Sequence, residues 1–197
     1  MKRVLKATGF AIAVALVSPL IALARLEELL LGAGCERIFD SCKEFLALIP
    51  TPVGEYLRQG FYWGSCRMVH PFTRIAFGTI IAHRNTVIAE GVVIGSFSII
   101  GCARIGKNVL IAPKVSILSG KYQHGRPQDR DGHRQADVQL EMITIGAGSF
   151  LGQGAVILAD IGAGTTVGAG SVVNRAVPDG STVMGNPARK VSLDPPA

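Results

Sequence analysis

The chain has 197 residues, of which 48% are hydrophobic, 17% charged and only 6% aromatic, with 24 glycines. That composition excludes a core built on large interlocking rings and suits regular packing of Val, Ile and Ala. The net charge is +6, half of it from Lys2, Arg3 and Lys6, which argues against the broad basic patch a nucleic-acid partner needs.

Residues 7–24 carry no charge; Lys2, Arg3 and Lys6 precede them and Arg25 follows. Three readings compete: a cleaved secretory signal ending near Ala22–Ala24, a bilayer span, or a shallow segment bent at Ser18-Pro19, where proline removes a helical donor. Arg25 to Ile49 reads as a second, amphipathic helix, ended by Pro50 and Pro52. Residues 1–52 thus form a helical, membrane-associating segment, and 53–74 lead into the next unit.

From residue 75 to 192 one rule holds: an aliphatic residue, a small residue, two free positions, then often a small or β-branched one. It runs Ile75-Ala76, Ile81-Ala82, Ile88-Ala89, Ile94-Gly95, Ile100-Gly101, Ile105-Gly106, Ile111-Ala112 and Ile117, then resumes at Ile145-Gly146 and continues to Val173. Most steps are six; the exceptions are seven from Ile81 to Ile88, five from Ile100 to Ile105 and four from Ile157 to Ile161. Period six is the mark of a hexapeptide β-helix, in which three hexads make one triangular coil and coils stack to bury their aliphatic residues.

The repeat is interrupted by residues 118–142, a charged stretch with two histidines, His124 and His133. A loop of this length without regular structure is functional or disordered. The four cysteines form no CxxC and stand at no zinc spacing, so they read as isolated thiols.

The hexads and the closing segment VGAGSVVNRAVPDGSTVMGNPARKV, Val167 to Val191, resemble the hexapeptide-repeat acyltransferases. Within that superfamily the chain is most similar to the sugar and polysaccharide O-acetyltransferases. Leu48 to Cys66 resembles the lead-in of members associated with bacterial exopolysaccharide synthesis. The resemblance implies a left-handed parallel β-helix, an acetyl-CoA cosubstrate, no metal, and a homotrimer with active sites between subunits. It also implies that the interrupting loop carries the general base, placed at His124 with His133 as rival. For coenzyme A it implies Ala169, Gly170 and Asn174, with Arg175, Arg189 and Lys190 as candidates for the phosphates. His83 aligns with an acceptor-site residue, and Asn85 stands beside it; His83 reads equally as a surface or interface imidazole, and His70 as structural. Phe150 stands where the family often has Trp.

The chemistry fits those residue types. A sugar hydroxyl ionises far too weakly to attack a thioester near neutral pH, and a positioned imidazole can take its proton as the bond forms. The thioester is already activated, and a backbone N–H can hold the oxyanion. The expected reaction is acetyl transfer to a free or lipid-linked saccharide in bacterial polysaccharide synthesis. N-acetylation of an amino sugar and a non-catalytic trimeric scaffold are the alternatives. A γ-type carbonic anhydrase is disfavoured because His83, His124 and His133 lack the spacing of its zinc site. Since acetyl-CoA is cytosolic, export of the domain is disfavoured. The N-terminal segment is expected as a broken, non-spanning hairpin on the cytoplasmic face of the inner membrane.

Overall fold

The computed structural model describes residues 2–119 and 140–192, with side chains from Lys6 onward. Three helices, α1 (Lys2–Leu31), α2 (Arg37–Ala47) and α3 (Thr51–Ser65), precede a parallel β-solenoid of about five turns.

Each hexad is a two- or three-residue strand and a corner. The strands stack into three faces. One holds Met68–Val69, Val87–Ile88, Ala103–Ile105 and Ile143–Ile145. The second runs in stacking order from Arg74–Ile75 to Arg189–Lys190, and the third from Ile80–Ile81 to Val172–Val173. The last residue of nearly every strand points inward. Ile75, Ile81, Ile88, Ile94, Ile100 and their successors are fully buried, each paired with its counterpart one turn away. After most strands of the first two faces the position four residues on is also buried and often carries a hydroxyl that bonds the next turn. Thr79 Oγ1 donates to Gly95 O at 2.7 Å and Ser149 Oγ to Gly162 O at 2.8 Å. Those bonds satisfy corner carbonyls that would otherwise be buried unpaired. The small residue at each corner follows from turn-on-turn contact: a Cβ on Gly152 would lie 2.5 Å from the amide nitrogen of Ala169.

The solenoid begins at Met68, one hexad before the 75 expected, because Val69 already pairs with Ile88 as a core residue. The 53–74 lead-in is therefore mostly α3 plus this first strand.

The helices differ from expectation. α1 runs unbroken through Pro19. Proline cannot donate to the carbonyl four residues back, but the Ser18 hydroxyl bonds that carbonyl, Ala15 O, at 2.8 Å. The break falls instead at Gly32, whose φ of 84° turns the chain toward α2. The expected bend at Ser18-Pro19, and with it the hairpin hinged there and the single helix from Arg25 to Ile49, is corrected on this point.

α1 lies along α3. Gly60 and Gly64 let the helices approach: a Cβ on Gly60 would sit 3.2 Å from the nitrogen of Val14, and one on Gly64 2.6 Å from Ile21. α2 and α3 close the first turns of the solenoid with Phe39, Phe61 and Tyr62, all fully buried, and the Ile81 amide donates to the Tyr62 hydroxyl at 3.1 Å. The buried Arg58 guanidinium donates to the carbonyls of Leu46, Ile49 and Ile75, pinning both helices to the second face.

Candidate functional site

Three corners run the length of the solenoid. Two of them keep six-residue steps throughout, for example Val69 to Ile75 and Ile75 to Ile81. The third, which follows the face beginning at Ile80–Ile81, takes every departure. It holds the seven-residue step after Ile81, the five after Ile100, the fours after Ile157 and Val173, and the excursion after Ile117.

The register of that face orders what stands on this edge. Ile81, Ile100, Ile117, Ile157 and Val173 pair in succession. Two residues beyond each come His83, Cys102, Ser119, Ala159 and Arg175. Ser119 is where the loop leaves; the Glu141 amide donates back to Ser119 O at 3.1 Å and closes its neck. At about 4.8 Å per rung, His83 lies about 10 Å from the loop exit and Arg175 about 10 Å beyond it on the other side.

At the N-terminal end of the edge, His83 Nδ1 lies 2.8 Å from Glu36 Oε2, and the other oxygen of Glu36 accepts the Arg84 amide at 2.9 Å. Burial opposes the charge on Glu36, but hydrogen bonds from His83 and the Arg84 amide and the charges of His83 and Lys43 outweigh it, holding the carboxyl below its usual value. Arg84 is itself buried; its guanidinium donates to Ala24 O and Glu27 Oε2, each at 2.8 Å, and to Cys35 O at 3.1 Å. Lys43 donates to Ala82 O at 2.7 Å, so α2 is held against this corner from a second side. Asn85 is exposed on the same turn.

At the C-terminal end, Asn174, Arg175, Arg189 and Lys190 line one pocket of about 270 Å³ together with Val177 and Ser181. The final antiparallel strand Arg189–Lys190, paired with Val183 and Met184, brings the last two basic residues back to Arg175. Two of the expected donor residues are elsewhere: Ala169 and Gly170 stand on the corner after Thr166–Val167, a different edge, and do not line this pocket.

His124 and His133 lie outside the described residues. His70 is half-buried in the first turn, where Nδ1 accepts the Phe72 amide at 3.3 Å. Phe150 is exposed, on a strand flanked by Leu110 and Thr166. Among the described residues no three His, Cys, Asp or Glu side chains gather as a metal site. Cys42, Cys66 and Cys102 are buried free thiols and Cys35 is half-buried; burial pushes the Cys66 thiol up to about 12. Glu36 is the residue that sequence reasoning missed, since nothing local marks a glutamate 47 positions before a histidine as its partner.

No protein-family model matches the sequence, and no curated protein matches it. Solved structures do. A maltose O-acetyltransferase from Clostridium difficile 630 superposes with TM-score 0.66 at 20% identity, over 79% of this chain and 84% of its own. A hexapeptide-repeat-containing acetyltransferase from Vibrio cholerae gives 0.53 at 22%, over 77% and 88%. A single-residue mutant of the N-acyltransferase AntD from Bacillus cereus, in complex with dTDP-4-amino-4,6-dideoxyglucose and coenzyme A, gives 0.50 at 17%, over 63% and 71%. At these identities the likeness is one of fold, and it matches the repeat in the sequence: the chain is a β-solenoid of the kind the hexapeptide-repeat acetyltransferases share.

Proposed function

We propose that this protein is an acetyl-CoA-dependent O-acetyltransferase acting on a free or lipid-linked saccharide in bacterial polysaccharide synthesis. The observation that carries the reading is the single irregular edge. A pocket with three basic side chains lies at one end, the exit of the histidine-bearing loop in the middle, and a carboxylate-held imidazole at the other end.

In this reading Arg175, Arg189 and Lys190 hold the nucleotide phosphates, with Asn174 beside them. The pantetheine arm follows the edge toward the loop, and Ala169 and Gly170 face it from the neighbouring solenoid of a homotrimer. His124 takes the proton from the acceptor hydroxyl as oxygen attacks the thioester carbon. The thiolate of coenzyme A leaves and is protonated, and no acyl-enzyme forms. His83 and Asn85 contact the acceptor.

The solenoid with its loop, from 68 to 192, is the catalytic unit, and residues 1–52 are its membrane attachment. The side of α1 turned away from α3 exposes Ile12, Leu16, Leu23, Leu26 and Leu30. By length and composition Lys6–Leu31 could also cross a bilayer. The packing of its inner stripe on α3 and Arg84 favours a helix lying in the interface, and the cytosolic supply of acetyl-CoA places it on the cytoplasmic face of the inner membrane in this reading.

N-acetylation of an amino sugar is the second reading, favoured by the AntD complex with an amino-sugar nucleotide. The test is thiol release from acetyl-CoA by the detergent-purified full chain with hydroxyl and amino sugars, for wild type and His124→Ala, with coenzyme A binding measured in parallel. Transfer by wild type alone, with donor binding intact in both, supports the assignment. Equal transfer by His124→Ala moves the base to another residue, and absence of donor binding in both overturns the acyltransferase reading in favour of a scaffold.

A further inference from the structure

Glu36 stands where no local element requires a carboxylate. It precedes α2 with φ −123° and ψ 23°, and its side chain makes no capping bond to that helix. It points across the interface instead. Three features present it there. Gly32 turns the chain in a left-handed conformation, the Cys35 amide bonds Gly32 O at 3.1 Å, and Arg84 holds Cys35 O at 3.1 Å. On the solenoid side, the seven-residue step after Ile81 supplies one residue more than a regular corner. The corner then buries the Arg84 side chain inward while His83 stays at the surface, its side chain 27% exposed.

Both oxygens of Glu36 are committed, one to the Arg84 amide and one to His83 Nδ1. An ionised carboxylate only accepts hydrogen bonds, so Nδ1 must carry the proton. In the neutral ring that leaves Nε2 bare, a hydrogen-bond acceptor. Among the described residues nothing bonds Nε2. The edge on which it stands is the one the loop leaves from, two rungs away. The charged and titratable groups around the pair are Arg84 and Lys43 beside Glu36 and the Cys102 thiol on the next rung.

We infer that Glu36, from the helical segment, is a positioning residue that locks His83 with its proton on Nδ1, so that Nε2 accepts a hydrogen bond from a hydroxyl or amine of the saccharide acceptor. The inference rests on the acyltransferase reading for the identity of the acceptor, but the tautomer does not. It gives the helical segment a part in acceptor recognition, separate from membrane attachment. It also makes acceptor selectivity depend on a donor group on the substrate: an analogue whose matching hydroxyl is methylated leaves Nε2 unpaired and binds worse.

The test uses the full chain in detergent. Glu36→Gln keeps an oxygen for the Arg84 amide and turns its NH2 toward His83, which must then accept at Nδ1 and carry its proton on Nε2. Nitrogen-15 spectra of labelled histidine, with the His83 signals identified by their loss in His83→Gln, read the tautomer directly. At a pH where the ring is neutral, the expected result is Nδ1-protonated in wild type and Nε2-protonated in Glu36→Gln. In the transfer assay the acceptor KM rises about ten- to a hundredfold in Glu36→Gln while the acetyl-CoA KM is unchanged, and Glu36→Asp recovers part of the loss. The same tautomer in both proteins, or an acceptor KM that does not move, overturns the inference. A rise in both KM values alike also overturns it, in favour of a purely structural pair. If wild type itself transfers nothing, the proposed function falls, and the ring-nitrogen shifts alone decide whether Glu36 sets the tautomer.

Discussion

Arg84 Nη2 meets Glu27 Oε2 at 2.8 Å with both side chains shut away from water, and the pair ties α1 to the solenoid across 57 residues. Removing either partner strands a buried charge. Glu27→Gln and Arg84→Met should each lower unfolding free energy by about 3–5 kcal/mol, and the double variant should lose less than the two combined. Chemical denaturation of the purified chain in detergent would measure all three, and additive losses would contradict the pairing.

Acid should weaken the same junction at Glu36. Its carboxyl is held below the usual value of 4.5 in the folded chain. A depressed carboxylate contributes stability that is complete above its unfolded pKa and lost as pH falls through the folded one. Wild type should therefore melt higher than Glu36→Gln at pH 7, with the gap closing as the pH drops below about 4.5. A gap that stays constant to pH 3 would show that the charge on Glu36 contributes nothing.

The thiols give a simple check on the interior. Burial raises the Cys42, Cys66 and Cys102 thiols, and thiolate is the reactive form. At pH 8 a maleimide should label only Cys35 in the native chain and all four cysteines in guanidinium. Rapid native labelling of Cys66 would mean that the contact between α3 and the first turn opens readily.

The stacked ladder predicts large losses from single truncations. Ile100 is fully buried between Ile81 and Ile117. Ile100→Ala should cost about 2–5 kcal/mol, read from the urea midpoint. Ile99, half exposed on the same strand, should cost far less when changed to Ala.

The proposed membrane attachment can be read by flotation. Leu16 and Leu23 are exposed on the outer side of α1. Leu16→Glu with Leu23→Glu should release the chain from anionic liposomes, whereas Ala13→Glu, on the stripe packed against α3, should unfold the helical segment instead. Continued flotation of the double variant would place the lipid contact elsewhere.

The solenoid was legible because its core needs only one aliphatic residue in phase, and Ile81, Ile100 and Ile117 keep that phase without help from distant chain. Its first hexad was missed because Val69 is followed by His70 and Pro71, not by a small residue. The unbroken α1 was hidden for a local reason, the Ser18 hydroxyl standing in for the donor that Pro19 lacks. The basic pocket at the C-terminal end was legible only in part. Asn174, Arg175, Arg189 and Lys190 do meet, but Ala169 and Gly170 sit on another corner, and corner identity depends on step lengths accumulated over a whole turn. Glu36 could not be read at all, because its partnership with His83 exists only once α2 has docked.

Length changes confined to one corner have an evolutionary consequence. An insertion in a sandwich or a bundle shifts which side chains meet, and the core must be repacked. Here residues can be gained or lost after Ile117, Ile157 or Val173 while the rungs of the third face keep their partners. Corner length can thus drift along one line of the molecule at little cost to its folding, as on a rack whose slots are fixed and whose fittings are exchangeable.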